Sequence, residues 1–282
     1  MTDANGRAAF GEEPRADRRR VTVVIPCFNE EHGLPKVLDR IPPGVDEVLV
    51  LDNCSVDKTA EVATRAGGRV RLVTHHTNLG YGGSYLRGVP MASGDVIVTA
   101  DGDGTYPVHD CMRLVDELVK GGYDFVSCTR LPLQDKRCMS TRNQLGNWVL
   151  TTLVNRFYGL RLRDAQSGMW VFRKDMFEKL NLSTTGMAFS NEIKIEAFTH
   201  PDVKAVEVHI PYAERIGRSK LYPFRDGVRM VSFLVRRRLR PPTRRPVSVA
   251  AEAVDAAPPA AASPPDAAHA APAAGVTARQ SD

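Results

Sequence analysis

Short, unbroken apolar runs alternate with helix-spaced ones along the first half of the chain. Val21-Thr22-Val23-Val24-Ile25 is rich in β-branched residues and stops at Pro26; beyond Asn29-Glu30-Glu31, the residues Leu34, Val37, Leu38 and Ile41 recur at helical spacing. The unit then repeats. Glu47-Val48-Leu49-Val50-Leu51 stops at Asp52, and Ser55 or Asp57 can cap a helix carrying Ala60, Val62 and Ala63. A third strand, Val70 to Thr74, leads into a glycine-rich loop and a helix near Ser84 to Met91. A fourth run, Asp95 to Ala100, ends on Asp101, and Pro107 starts a helix with Met112, Leu114, Val115 and Leu118 on one face. Runs that are apolar without alternation and separated by helices predict an α/β domain whose parallel sheet is covered on both faces. Ligands of such sheets bind beyond the carboxyl ends of the strands, where Asp52 and Asp101 both fall.

The ends of the chain break this pattern. Residues 1–19 are polar and without periodicity, and 246–282 form an Ala/Pro-rich tract. Neither can bury enough apolar surface to offset its ordering entropy, so both are expected to be disordered around one domain at 20–245. No apolar run approaches the roughly eighteen residues that cross a bilayer, and the N-terminus lacks the basic, apolar, small-residue order of a signal peptide. The expected location is cytoplasmic, with room for contact at the membrane surface. Five cysteines without a Cys-x-x-Cys pair argue against a disulfide framework and a structural zinc site. His75 and His76, neighbours at a strand end, point to opposite faces and are expected to hold no metal.

Candidate chemistry starts at Asp101-Gly102-Asp103-Gly104, which follows a buried strand and whose glycines allow close backbone approach. Paired carboxylates suit Mg²⁺ or Mn²⁺, hard ions that keep waters and share their sites with substrate phosphates. Such an ion neutralises the charge that builds on a diphosphate leaving group. Asn78-Leu79-Gly80-Tyr81-Gly82-Gly83 lacks the last glycine of a dinucleotide fingerprint and follows the third strand, and no phosphate loop of the ATPase kind is present.

Charge adds a second clue. The formal net charge is only +5, but Arg215 to Arg245 holds eleven Lys and Arg residues against the single Asp226. That field implies an anionic partner: phosphates, nucleic acid or an acidic membrane surface. Within 222–240 the apolar Phe224, Val228, Val231, Phe233, Leu234 and Val235 alternate with arginines, which suits either a basic amphipathic helix on a membrane or a core helix with a solvated basic end.

Val24 to Glu31, Asp52 to Thr59, Asn78-Leu79-Gly80, Gly94-Asp95 and Asp101 to Pro107 occur in the order seen in family 2 glycosyltransferases. The chain resembles the dolichyl-phosphate mannose synthase and polyprenyl-phosphate branch, through Asp164 to Met169 and Gly217 to Lys220. The resemblance implies a GT-A fold: an open, mostly parallel mixed sheet with helices on both faces, nucleotide in its first half and acceptor in its second. It implies that Pro26, Asn29 and Glu30 line base and ribose, Asp52 contacts the base, Asn78 and Gly80 lie at the donor, and Asp101 and Asp103 hold the diphosphate of a UDP- or GDP-sugar through Mg²⁺ or Mn²⁺. Cys27 stands where tyrosine is common, and Gly102 where alanine is common. Capping of the following helix is a second reading for Asn29 and Glu30, compatible with the first.

The acceptor follows from the nucleophile. A sugar hydroxyl needs a general base, whereas a lipid phosphate is already anionic and needs cations to position it. The resemblance makes Arg215, Arg218, Ser219 and Lys220 phosphate contacts and places Asp164 and Ser167 on the acceptor side; Glu192 is a further candidate carboxylate. A hydroxyl acceptor, on a soluble glycan or a secondary metabolite, requires Asp164 or Glu192 as base; a polyprenyl phosphate requires neither. The expected reaction is inverting hexosyl transfer to polyprenyl phosphate. Nucleic-acid binding by the basic segment leaves the three aspartates unexplained.

Overall fold

The computed structural model describes residues 19–217 and 223–240. The proposed disordered ends and Arg218, Ser219 and Lys220 therefore lie outside the described residues, apart from Arg19. Strands β1 (Val21–Cys27), β2 (Glu47–Asp52), β3 (Val70–Thr74) and β4 (Val96–Thr99) pair in parallel in the order β3-β2-β1-β4. In this register Cys27 lies opposite Asp52, so the β1 and β2 ends reach one edge together. The sheet continues through β6 (Trp170–Arg173), β5 (Phe125–Thr129) and β7 (Ala205–His209). β6 runs antiparallel between β4 and β5, and β7 runs parallel to β5, making a mixed seven-stranded sheet.

Alternate residues of each strand feed two cores, the outcome expected of runs with no polar side. Val23, Ile25, Val48, Val50 and Val98 pack with Leu34, Val37, Leu114 and Leu118 from helices α1 (Leu34–Leu38) and α4 (Cys111–Lys120). Val24, Leu49, Leu51 and Ile97 pack on the other face with Tyr85 of α3 (Gly80–Gly88), Trp170 and Phe172, and Phe189 and Ile193 of α7 (Phe189–Thr199). Each such side chain contributes about 1.5–3 kcal/mol on leaving water. A third cluster joins α5 (Thr141–Tyr158), α7 and α8 (Pro223–Leu239) through Leu150, Val154, Ile195, Met230 and Leu234.

Two helices differ from the pattern read in the sequence. α1 ends at Leu38 rather than reaching Ile41, because Pro42 and Pro43 follow and the residue before a proline is driven out of helical geometry. α3 begins at Gly80, so the glycine-rich stretch is the first turn of the helix and not a loop ahead of it. Its glycines have a packing reason: a Cβ on Gly82 would run into the Thr184 carbonyl oxygen and the Phe189 side chain. Helix α2 (Thr59–Ala66) starts with Asp57 Oδ1 accepting from Thr59 N at 3.0 Å, one of the two capping residues expected. His75 is buried and His76 exposed, on opposite sides as their spacing requires.

Candidate active site

A cavity of about 290 Å³ opens beyond the carboxyl ends of β1, β2 and β4, where open α/β sheets bind ligands. Pro26, Glu30, Asn78, Gly80, Asp101, Asp103 and Arg215, all expected at the donor or its phosphates, line it together. Asp101 and Asp103 flank Gly102, whose missing Cβ matters: one built there would sit 2.9 Å from Cys27 Sγ. The two residues that depart from the usual pattern therefore touch, and the bulk of one is set against the other.

The acidic wall is an electrostatic conflict. Burial first, and then the neighbouring Asp103, push the Asp101 carboxyl up to about 7. Tyr81 Oη donates to Asp101 Oδ1 at 3.4 Å, and Asp103 Oδ1 accepts from the Thr105 amide at 3.0 Å and hydroxyl at 2.7 Å. Arg215 bridges the remainder, with Nη1 3.0 Å from Asp103 Oδ2 and Nη2 3.2 Å from Glu30 Oε1. Three carboxylates thus line one space, where Arg215 pairs with two of them and Arg130 adds a second positive charge. All the donors are oxygens, the set a hard divalent cation takes. Among the described residues no three His, Cys, Asp or Glu side chains are arranged to enclose a metal unaided. A cation there would complete its coordination with phosphate oxygens and water, as Mg²⁺ commonly does.

The structure separates other expected donor residues from this space. Asn29, in left-handed backbone geometry at φ 56°, accepts from Val56 N through Oδ1 at 2.8 Å and so ties the loops after β1 and β2. Asp52 is only 2% exposed, accepts from Ser55 N at 3.3 Å, and does not line the cavity. Its neighbour Asn53 does, held by Leu79 N donating to Oδ1 at 2.8 Å and itself donating to Asn78 Oδ1 at 3.0 Å.

The acceptor-side carboxylates are corrected more sharply. Asp164, read as a possible base, is fully buried and takes a two-pronged bond from Arg130: Nε to Oδ2 at 2.7 Å and Nη2 to Oδ1 at 2.9 Å. The Arg130 amide, Asn147 Nδ2 and the Gln166 amide also donate to it, each at 3.1 Å. Burial alone would raise its pKa, but Arg130 overrides this and holds the carboxyl well below the usual range. Glu192, the other candidate, is also fully buried; it accepts from Arg237 Nη1 at 2.9 Å and from the amides of Ser183 at 3.0 Å and Thr184 at 2.7 Å. Neither carboxylate faces the cavity. Ser167 is likewise buried behind it, with no hydrogen-bond partner for its hydroxyl among the described residues.

Arg130, which the sequence reading missed, does line the cavity. Asp164 pins two edges of its guanidinium, and its carbon lies 5.1 Å from the centre of the Tyr212 ring, which in turn packs edge-on against Tyr106. Tyr106 Oη accepts from Gly168 N at 2.6 Å, fixing the loop that carries Gln166. The result is a rigid cation in the cavity wall.

A family description decides what this cavity belongs to: Glycosyl transferase family 2 matches residues 22–181, more than half of the chain. The chain belongs to glycosyl transferase family 2. Among curated relatives, the low-salt glycan biosynthesis hexosyltransferase Agl6 of Haloferax volcanii is 33% identical over 223 residues, 76% of this chain and 53% of its own length. The chain thus spans about half of that relative. The dolichyl-phosphate hexose transferase of the same organism is 32% identical over 219 residues, 77% of this chain and 92% of its own. The glucosyl-3-phosphoglycerate synthase of Mycobacterium tuberculosis, solved with Mn²⁺, UDP and glucosyl-3-phosphoglycerate, superposes with a TM-score of 0.60 at 23% identity, covering 79% of this chain and 81% of that one. That likeness is one of fold, and it makes this glycosyltransferase a GT-A protein, as the motifs implied.

Proposed function

We propose that this glycosyltransferase moves a hexose from a nucleotide diphosphate sugar to a polyprenyl phosphate, with inversion at the anomeric carbon and a divalent cation at Asp101 and Asp103. One observation carries the choice of acceptor: the cavity wall presents the pinned cation Arg130, while the two carboxylates that a hydroxyl acceptor would need as bases are held in buried ion pairs away from it. A phosphate nucleophile needs a cation to position it and no base. The name of the dolichyl-phosphate relative points the same way.

In this reading Asn53, Asn78, Pro26 and Gly80 hold the nucleotide, and Glu30, Asp101 and Asp103 face its diphosphate. When bound, Mg²⁺ or Mn²⁺ neutralises charge on the leaving diphosphate. Arg215, which pairs with Asp103 and Glu30 in the cavity wall, would stand beside the same phosphates. Arg130 aims an acceptor phosphate oxygen at the anomeric carbon from the face opposite the leaving diphosphate. The bond from that carbon to the donor phosphate breaks as the bond to the acceptor oxygen forms, and the nucleoside diphosphate departs. Tyr81, Tyr106 and Tyr212 close the walls around the reacting carbon.

Peripheral membrane contact belongs to the same reading. Among the described residues no helix is long and apolar enough to cross a membrane. α8 turns Met230 and Leu234 inward and leaves Val228, Val231, Val235 and Leu239 exposed; α5, packed beside it, exposes Leu145, Trp148 and Val149. Arg225, Arg229, Arg236 and Arg238 are exposed on α8 and Arg240 just beyond it, a combination suited to an anionic lipid surface.

The test is transfer of radiolabelled sugar from UDP- and GDP-hexoses to undecaprenyl phosphate, with Mn²⁺ or with a chelator. Label must enter the organic phase, and only with the metal; absence of organic-phase label across the donors refutes the proposal. A second reading, a hydroxyl acceptor, has one observation in its favour: Asp226 also lines the cavity. It requires Asp226→Asn to abolish transfer, whereas the phosphate reading requires that variant to stay active.

A further inference from the structure

We infer that a groove between α8 and the segment 183–188 receives the isoprenoid tail of the acceptor; this rests on the polyprenyl-phosphate reading. The groove is a separate concavity of about 890 Å³, three times the catalytic cavity, and the two share Met187 and Asp226 on their walls. A ligand whose phosphate lies at Arg130 can therefore continue past Met187 into the groove, since the same two residues border both. From Asp226 to Leu239 the groove follows α8 for about 20 Å, enough for several isoprene units.

Its chemistry fits a branched hydrocarbon. Met187, Met230, Phe233 and Leu239 supply apolar surface, and methionine adapts to irregular chains. Arg229 and Arg236 stand on the rim, where they complement the anionic headgroups from which such a lipid is drawn. The groove is also built in advance. Arg237 spans from α8 to Glu192 and Glu196 on α7 and stacks 5.8 Å from the Phe233 ring centre, while Glu192 accepts from the Ser183 and Thr184 amides of the opposite wall. One buried carboxylate thus fixes both walls, so little ordering cost falls on the lipid.

The experiment compares undecaprenyl phosphate with geranyl phosphate, both in neutral detergent so that membrane contact plays no part, as acceptors for wild type, Ser232→Trp and Val228→Glu. Ser232 and Val228 line the groove, and the Val228 side chain is half exposed, so its replacement leaves folding intact if the larger tryptophan does not. Losing the burial of a few methylene groups predicts a KM for undecaprenyl phosphate raised about tenfold or more in each variant. The KM for geranyl phosphate, too short to use the groove, and that for the donor stay at their wild-type values. Equal effects on both acceptors, or none on either, overturn the groove while leaving the function standing. Wild-type protein that uses neither prenyl phosphate overturns the function and the groove together.

Discussion

Replacing Asp164 by asparagine separates two roles that a sequence cannot. The carboxylate is fully buried, takes five hydrogen bonds, and is the ion-pair partner of a cavity-lining arginine. Asparagine keeps the shape but removes the charge, and it turns an amide donor toward donors. Breaking a buried pair from one side costs roughly 3–5 kcal/mol, because the other charge stays behind unpaired. For a domain of this size each kcal/mol moves Tm by about 2–4 °C, so Asp164→Asn is expected to melt about 6–20 °C lower. Thermal unfolding with and without UDP measures this. The double variant Asp164→Leu with Arg130→Met should recover most of the loss, since well-packed apolar residues commonly replace such a pair without penalty, yet it should remain inactive for want of the cation. An Asp164→Asn protein with wild-type Tm and no transfer refutes the positioning role and restores this carboxylate as a base.

Asp101→Asn and Asp103→Asn should each remove the Mn²⁺-dependent part of the Tm increase that UDP produces; a shift that survives in both variants counts against a metal at this pair. Glu192→Gln unties Arg237 and the Ser183–Thr184 amides, so it should cost about 3–5 kcal/mol of stability, and its activity measured well below Tm should fall mainly through acceptor KM. Acid and alkali should act in opposite senses on the Asp164 and Lys194 pair. The depressed Asp164 pKa gives stability that is present above its ordinary 3.8 and lost as pH falls below it. Burial lowers Lys194, whose Nζ donates to the Asp164 carbonyl at 2.7 Å, from 10.5 to about 8. The unfolded chain then binds more protons across pH 8–10.5, so stability rises over that window, and Lys194→Met should flatten the rise in urea titrations.

The first half of the sheet was legible because its evidence is local. β1, β2 and β4 are largely apolar runs and β3 is interrupted only by Arg71; the acidic pair follows the end of β4 and Asn78-Leu79-Gly80 the end of β3 within a few residues. The second half depends on pairs far apart in sequence. Asp164 looked available because its partner Arg130 is 34 residues away, and Glu192 because Arg237 is 45 away. Arg130 closes the run Phe125-Val126-Ser127-Cys128-Thr129, which is the fifth strand; a cation at a strand end was the signal that could have found it. The direction of β6 leaves no trace in periodicity, since parallel and antiparallel strands buried on both faces read alike.

Insertion of β6 between β4 and β5 also sets a timetable for synthesis on the ribosome. β1 to β4 can pair once residue 99 has emerged, but β4 then presents an apolar edge whose partner strand is complete only at Arg173. At about 5–20 residues per second that edge stays open for several seconds, a template for pairing with another nascent chain. Placing β6 inside the sheet therefore makes the growing protein a natural client for chaperones, and a chain halted before residue 170 should aggregate rather than fold as a free four-stranded unit.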